Sequence, residues 1–200
     1  MRVKTLIWGG VGLVGMSAIG ISAIVGLCLF CATEVPIASL TAETASANAS
    51  VSTAEVGTSV GQRLPEVRFN ALDGRTIQLN ELPSQPTVLY FSAVWCTSCR
   101  AEVKELAHVK ERYKNDITIV YVDTTPQTDT PADVQKFSEE FGHPDFLWTL
   151  DNEQDPAVIP LNVFGLGTAY LVDAQRVVAF RGMNSISTDL FQDTLQSLLE

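Results

Sequence analysis

Positive charge is scarce in this chain: 13 lysines and arginines stand against 23 aspartates and glutamates, a formal charge of −10 over 200 residues. Phosphate backbones attract basic surfaces, so nucleic acid is excluded as an expected partner. From Arg63 onward 11 basic residues face 20 acidic ones, and −9 of the charge therefore belongs to the C-terminal part. Histidine is scarcer still. His108 and His143 lie far apart and supply no imidazole set for zinc. No internal repeat is visible, and from Thr5 to Ala32 charge of either sign is missing altogether.

That uncharged stretch is long enough to cross a hydrocarbon core, which needs ~20 helical residues. A cleaved signal peptide has a shorter apolar region, ~7–15 residues, ending at a small-x-small site. Here Phe30-Cys31-Ala32 places a bulky residue where a small one is wanted, and Leu27 and Phe30 stand before Cys28 and Cys31 where a lipoprotein signal needs a small one. Residues 1–32 are read as an uncleaved transmembrane anchor. Arg2 and Lys4 precede it and stay in the cytoplasm by the positive-inside rule, which sends the remainder outward. The expected location is the cell membrane, single-pass, with an extracytoplasmic domain in an oxidising compartment. Ala18, Ser22 and Gly26 recur every fourth residue, a spacing that lets two spans pack closely, but the span is read as a glycine-rich helix facing lipid. Residues 33–61 are rich in Ala, Ser and Thr without apolar periodicity, a composition that reads as a flexible linker.

Residues 62–200 read as one domain of alternating short strands and helices. Asp73-Gly74 between Val67–Asn70 and Thr76–Leu79 signals a hairpin. Thr87–Phe91 and Ile117–Val122 are continuous apolar runs suited to strands buried on both faces. Between them the spacing predicts a helix from Cys96 to about Tyr113, with Cys99, Val103, Leu106 and Tyr113 on one face. Thr130-Pro131-Ala132-Asp133 opens a second helix that Gly142 closes. Phe146–Leu150 follows as a strand, 156–164 as a short helix or loop, and Thr168–Val172 with Arg176–Phe180 as a hairpin. Ser187–Leu199 is the last helix, with Leu190, Phe191, Leu195 and Leu198 expected on its buried face. A strand-helix-strand unit followed by a hairpin and a helix implies an α/β domain with one mixed central sheet flanked by helices.

The four cysteines form two C-x-x-C pairs. Cys28 and Cys31 fall at the outer end of the expected span and read as inert thiols near lipid, with a redox relay or a palmitoylated thiol as alternatives. Cys96 and Cys99 follow a buried strand directly and open a helix, where free N–H groups and the helix dipole favour the thiolate. Thiolate Cys96 would attack a partner disulfide, and Cys99, one turn on, would then attack Cys96 to release the reduced partner. Zinc lacks a second ligand pair in the domain, and a structural staple would usually tie separate elements. Thr97-Ser98 brings neither histidine nor positive charge between the cysteines, which inclines the pair towards a reductant or relay.

The segment from Phe91 to Glu102, Phe-Ser-Ala-Val-Trp-Cys-Thr-Ser-Cys-Arg-Ala-Glu, resembles the active site of the thioredoxin superfamily. It is most similar to the membrane-tethered extracytoplasmic branch of TlpA, ResA and CcmG proteins. The resemblance covers roughly residues 62 to 200, including the early hairpin, which this branch carries as an extra N-terminal element, and Gly165-x-x-Thr168 before Tyr170-Leu171-Val172-Asp173. It implies a thioredoxin-like fold, a redox disulfide between Cys96 and Cys99, and substrate contacts around Trp95, Leu166, Gly167 and Thr168. It further implies disulfides of exported proteins as substrates, including apocytochrome c, and a membrane thiol carrier as electron donor. No cofactor or metal is expected.

Within that branch a glutamate at the position of Glu102 handles the proton of the buried cysteine. Glu102 is i+3 from Cys99, near the apolar face, where desolvation disfavours a charged carboxylate; a solvated flank acid like Glu105 is the alternative. Two positions depart from the pattern. Gly167 stands where the family has a cis-proline that holds the loop for substrate pairing and keeps metals off the thiols, and glycine can adopt unusual torsions without holding them. Tyr90 stands where thioredoxins proper have a buried acid. Loss of the proline opens a second reading, a module that binds a soft metal or cluster through both thiolates. A redox-silent scaffold is a third. A copper chaperone of the Sco type would need C-x-x-x-C and a nearby histidine, and a peroxiredoxin would need P-x-x-x-T-x-x-C, neither of which is present.

Overall fold

The computed structural model describes residues 54–200. The expected anchor lies outside them, as does most of the expected linker, and among the described residues no helix is long and apolar enough to cross a membrane. The end of that linker belongs to the domain instead. Arg63 N donates to Glu55 O, Gly57 N to Arg63 O, and Gly61 N to Val178 O at 2.8–2.9 Å, so the bonded domain begins at Glu55 rather than at Gln62.

Among the described residues seven strands form one mixed sheet: β1 (Arg68–Ala71), β2 (Thr76–Gln78), β3 (Thr87–Ser92), β4 (Thr118–Asp123), β5 (Leu147–Asp151), β6 (Thr168–Val172) and β7 (Val178–Met183), in the order β2-β1-β5-β4-β3-β6-β7. β3 pairs in parallel with β4, and β4 with β5; all other neighbours are antiparallel. β1 and β2 join through a turn in which Gly74 takes φ +84°, a torsion that a side chain disfavours.

Among the described residues three α-helices lie between and after these strands: α1 (Cys99–Tyr113), α2 (Pro131–Glu139) and α3 (Asp189–Leu199). All three cover the same face. Val103 and Leu106 of α1, Val134 and Phe137 of α2, and Phe191 and Leu195 of α3 pack with Val88, Tyr90, Ile119 and Tyr121 of the central strands. The alternate residues, Leu89 and Phe91 of β3 and Val120 and Val122 of β4, point the other way, because strand side chains have period two. On that second face they meet Leu64, Phe69, Leu79 and Leu161, so connecting segments rather than α-helices close it.

Several element ends differ from the sequence reading. α1 begins at Cys99, not Cys96, because residues 94–98 form turns that wind into the helix. The last strand begins at Val178, not Arg176, whose backbone turns with φ +66°. Leu190 is 66% exposed: the i, i+4 pair Phe191 and Leu195 defines the buried stripe of α3, and Leu190 lies to its side. Thr130 caps α2 as its sequence implies, accepting Asp133 N while Asp133 accepts Thr130 N.

Candidate active site

The parallel strands β3 and β4 end side by side, with Ser92 opposite Asp123, and the chain leaves β3 into the turn that carries Cys96. Cys96 N donates to Ala93 O at 3.0 Å, Cys99 N to Cys96 O at 3.2 Å and Arg100 N to Thr97 O at 3.4 Å, so the turn runs straight into the helix. The two cysteines are disulfide-bonded, with Cα atoms 5.3 Å apart. Cys96 keeps 6% of its surface open and Cys99 none, which makes Cys96 the sulfur that an incoming group meets. Ser98 Oγ lies 3.5 Å from Cys96 Sγ. Thr97-Ser98 thus supplies a neutral donor that can face the sulfur once the pair is reduced.

Glu102 is buried, which settles the alternative of a solvated flank acid. Its Oε2 accepts the N–H of Ile186 at 2.8 Å, tying α1 to the segment before α3 one turn beyond Cys99. Tyr90 OH donates to Cys99 O at 3.5 Å. Burial, reinforced by the charge of Glu102, pushes its hydroxyl well above the ordinary tyrosine range, so Tyr90 is a donor and not a base.

The remaining expected residues line the same end of the sheet. Trp95 is 59% exposed on the Cys96 turn. Leu166 packs against the core cluster that contains both cysteines. Thr168 opens β6 opposite Phe91, and its hydroxyl donates to Gly165 O at 2.7 Å. Gly167 adopts an unusual torsion of the kind glycine allows. At φ +81° its N–H donates to Phe91 O at 2.8 Å and its carbonyl accepts Asn184 N at 2.9 Å. Beside this loop Phe164, 91% exposed, and Met183 border a cavity of about 370 Å³.

Two residues that sequence reasoning did not single out also grip the turn. Asp123 Oδ2 accepts Val94 N at 3.0 Å, and Arg100 Nη2 donates to Val94 O at 3.4 Å. Arg100 is ion-paired with Glu140 and lies 5.0 Å over the Phe137 ring. An acid closing the apolar run Ile117–Val122 was the available sign for Asp123, because such a strand ends beside the site.

Residues 60–181, more than half of the chain, match the AhpC/TSA family. The thioredoxin-like protein YneN of Bacillus subtilis is 24% identical over 124 residues, spanning 62% of this chain and 71% of that protein. The thiol:disulfide interchange protein DsbE of Vibrio cholerae is 26% identical over 143 residues, 70% of this chain and 74% of that one. Among solved structures, the thioredoxin domain of a thiol-disulfide oxidoreductase from Bacteroides vulgatus superposes with a TM-score of 0.61 at 20% identity, over 71% of this chain and 99% of that one. The chain belongs to the AhpC/TSA family and is a thiol-disulfide oxidoreductase of thioredoxin-like fold, with Cys96 and Cys99 as its redox pair.

Proposed function

We propose that this oxidoreductase is tethered to the cell membrane by residues 1–32, faces the extracytoplasmic side, and serves as a reductant or electron relay for exported proteins. Disulfides of apocytochrome c before haem attachment are one substrate class, and a membrane thiol carrier is the electron donor. The observation that carries the reading is the asymmetry of the pair, a slightly open Cys96 over a fully buried Cys99. Trp95 on the Cys96 turn, and Phe164 and Met183 beside the Gly167 loop, are exposed apolar side chains that suit a polypeptide substrate better than a small polar one.

The exchange runs in two displacements. In the reduced enzyme the Cys96 thiolate attacks one sulfur of the partner disulfide; the S–S bond breaks and the second partner sulfur leaves as thiolate. Cys99 then gives its proton to Glu102 and attacks Cys96, which expels the first partner sulfur and forms the Cys96–Cys99 disulfide. Glu102 returns the proton to a departing thiolate. Two electrons pass to the partner, and the donor dithiol restores the enzyme by the reverse steps.

Cys99→Ala expressed in the full chain should accumulate mixed disulfides through Cys96, visible on non-reducing gels and lost when Cys96 is replaced as well. Membrane-impermeant maleimide should label reduced Cys96 in intact cells whose outer barrier is opened. Absence of any reversible two-electron titration against glutathione would overturn the exchange reading, and labelling only after lysis would overturn the outward orientation.

A further inference from the structure

Beneath the Cys96 turn lies a buried acid that the exchange cycle leaves unused. Asp123 closes β4 with no surface exposed. One carboxylate oxygen holds Val94 N, two residues before Cys96, at 3.0 Å. The other accepts both Thr125 N and Thr125 Oγ1 at 2.9 Å. That same hydroxyl lies 2.7 Å from Asp129 Oδ2, and Asp129 is itself buried. A threonine hydroxyl carries one hydrogen and can donate to only one of the two carboxylates. When both contacts are made, the second needs a hydrogen on a carboxyl group, so the pair then holds a proton.

We propose that Asp123 is a positioning residue for thiol-disulfide exchange: it fixes the Cys96 turn through Val94, and the proton it shares with Asp129 through Thr125 sets how readily Cys96 becomes a thiolate. The inference rests on the reading of Cys96 as the attacking sulfur. Both polar groups of Val94 are held, its N–H by Asp123 and its carbonyl by Arg100, so the turn cannot move without disturbing that carboxylate. The groups that face Asp123 leave it as the variable charge. Arg100 reaches Val94 from α1 but is already paired with Glu140 at the end of α2. Tyr121 on the same strand stays neutral, because burial first and the charge of Asp123 second push its hydroxyl up. Asp129 is the like charge across Thr125.

Burial is the largest influence on the Asp123 carboxyl and pushes it up to about 6; the Thr125 bonds oppose the rise and the charge of Asp129 adds to it. Below that pH the pair keeps its proton. Above it a further buried negative charge appears on the carboxylate that holds Val94 N, and it opposes ionisation of the thiol on the same turn.

The test is the rate of iodoacetamide labelling of Cys96 in the reduced, detergent-solubilised full chain between about pH 5 and 8, read by mass spectrometry of the Cys96 peptide. The wild-type profile should show an inflection near 6 in addition to that of Cys96 itself. Asp123→Asn keeps an acceptor for Val94 without the charge, so the inflection should vanish and labelling near neutral pH should rise about threefold. Asp129→Asn leaves the Val94 bond untouched and should move the inflection to lower pH, which keeps the test decisive should the Asp123 variant not fold. Profiles of both variants that superimpose on the wild type would overturn the proposal while leaving the exchange reading intact. A folded wild-type protein in which Cys96 does not label would overturn both.

Discussion

Gly167 has both backbone polar groups engaged, the N–H on Phe91 and the carbonyl on Asn184, at a φ of +81°. Proline can supply neither that torsion nor the donor. Gly167→Pro should therefore unfold readily in a denaturant titration, losing about 3 kcal/mol or more, and not merely alter substrate turnover. Glu102 presents the opposite case. Glutamine at 102 would still accept Ile186 N, so Glu102→Gln should melt close to the wild type, yet it cannot carry the proton of Cys99. Rapid-quench measurement of mixed-disulfide resolution should show a loss of about a hundredfold. A resolution rate equal to the wild type would remove Glu102 from the cycle. Residues of this kind are half legible in sequence: position i+3 from Cys99 marks Glu102, but its burial depends on Ile186, 84 positions away.

Between β6 and β7 the turn depends on Arg176, which the apolar residues after it disguise as the start of a strand. Its guanidinium is buried and donates to Leu82 O at 2.6 Å, Pro83 O at 2.9 Å and Thr87 Oγ1 at 3.1 Å, fastening the entry of β3 to the terminal hairpin. Methionine there would fill a similar volume and leave those acceptors without donors, so Arg176→Met should cost about 3 kcal/mol in chemical unfolding. The strands and helices themselves were legible because their period is local: the apolar runs of β3 and β4, the Thr130–Asp133 box of α2 and the Phe191–Leu195 stripe each lie within a few residues. The exact helix start was not. Cys96 and Cys99 differ by one turn in sequence pattern, and only the bonds from Cys96 N to Ala93 and from Cys99 N to Cys96 show that the helix opens at the second cysteine.

For the whole domain, the acid beneath the site makes stability depend on pH in an unusual sense. Asp123 titrates near 3.8 when unfolded and at about 6 when folded, so between these values the folded state binds the extra proton. Its contribution is fully present below the lower value and is lost as pH rises through the upper one. Urea titrations across this window should show wild type losing roughly 2 kcal/mol relative to Asp123→Asn on going from about pH 4 to 7. Parallel curves for the two proteins would show that Asp123 does not titrate as described. Sequence could not reveal this, since an aspartate at a strand end is usually solvated; three segments, β4, the Cys96 turn and the loop to Asp129, must close around it.

Gly167 and Asn184 also bear on how such a site can change over descent. A Cβ at 167 would collide with the Asn184 carboxamide, and Asn184 itself sits at φ +50°, a torsion that asparagine tolerates better than most residues. The two positions are therefore epistatic. A proline at 167 would therefore call for a second change: the Asn184 side chain must swing away, and the loop must give up both the positive torsion at 167 and the bond from Gly167 N to Phe91 O.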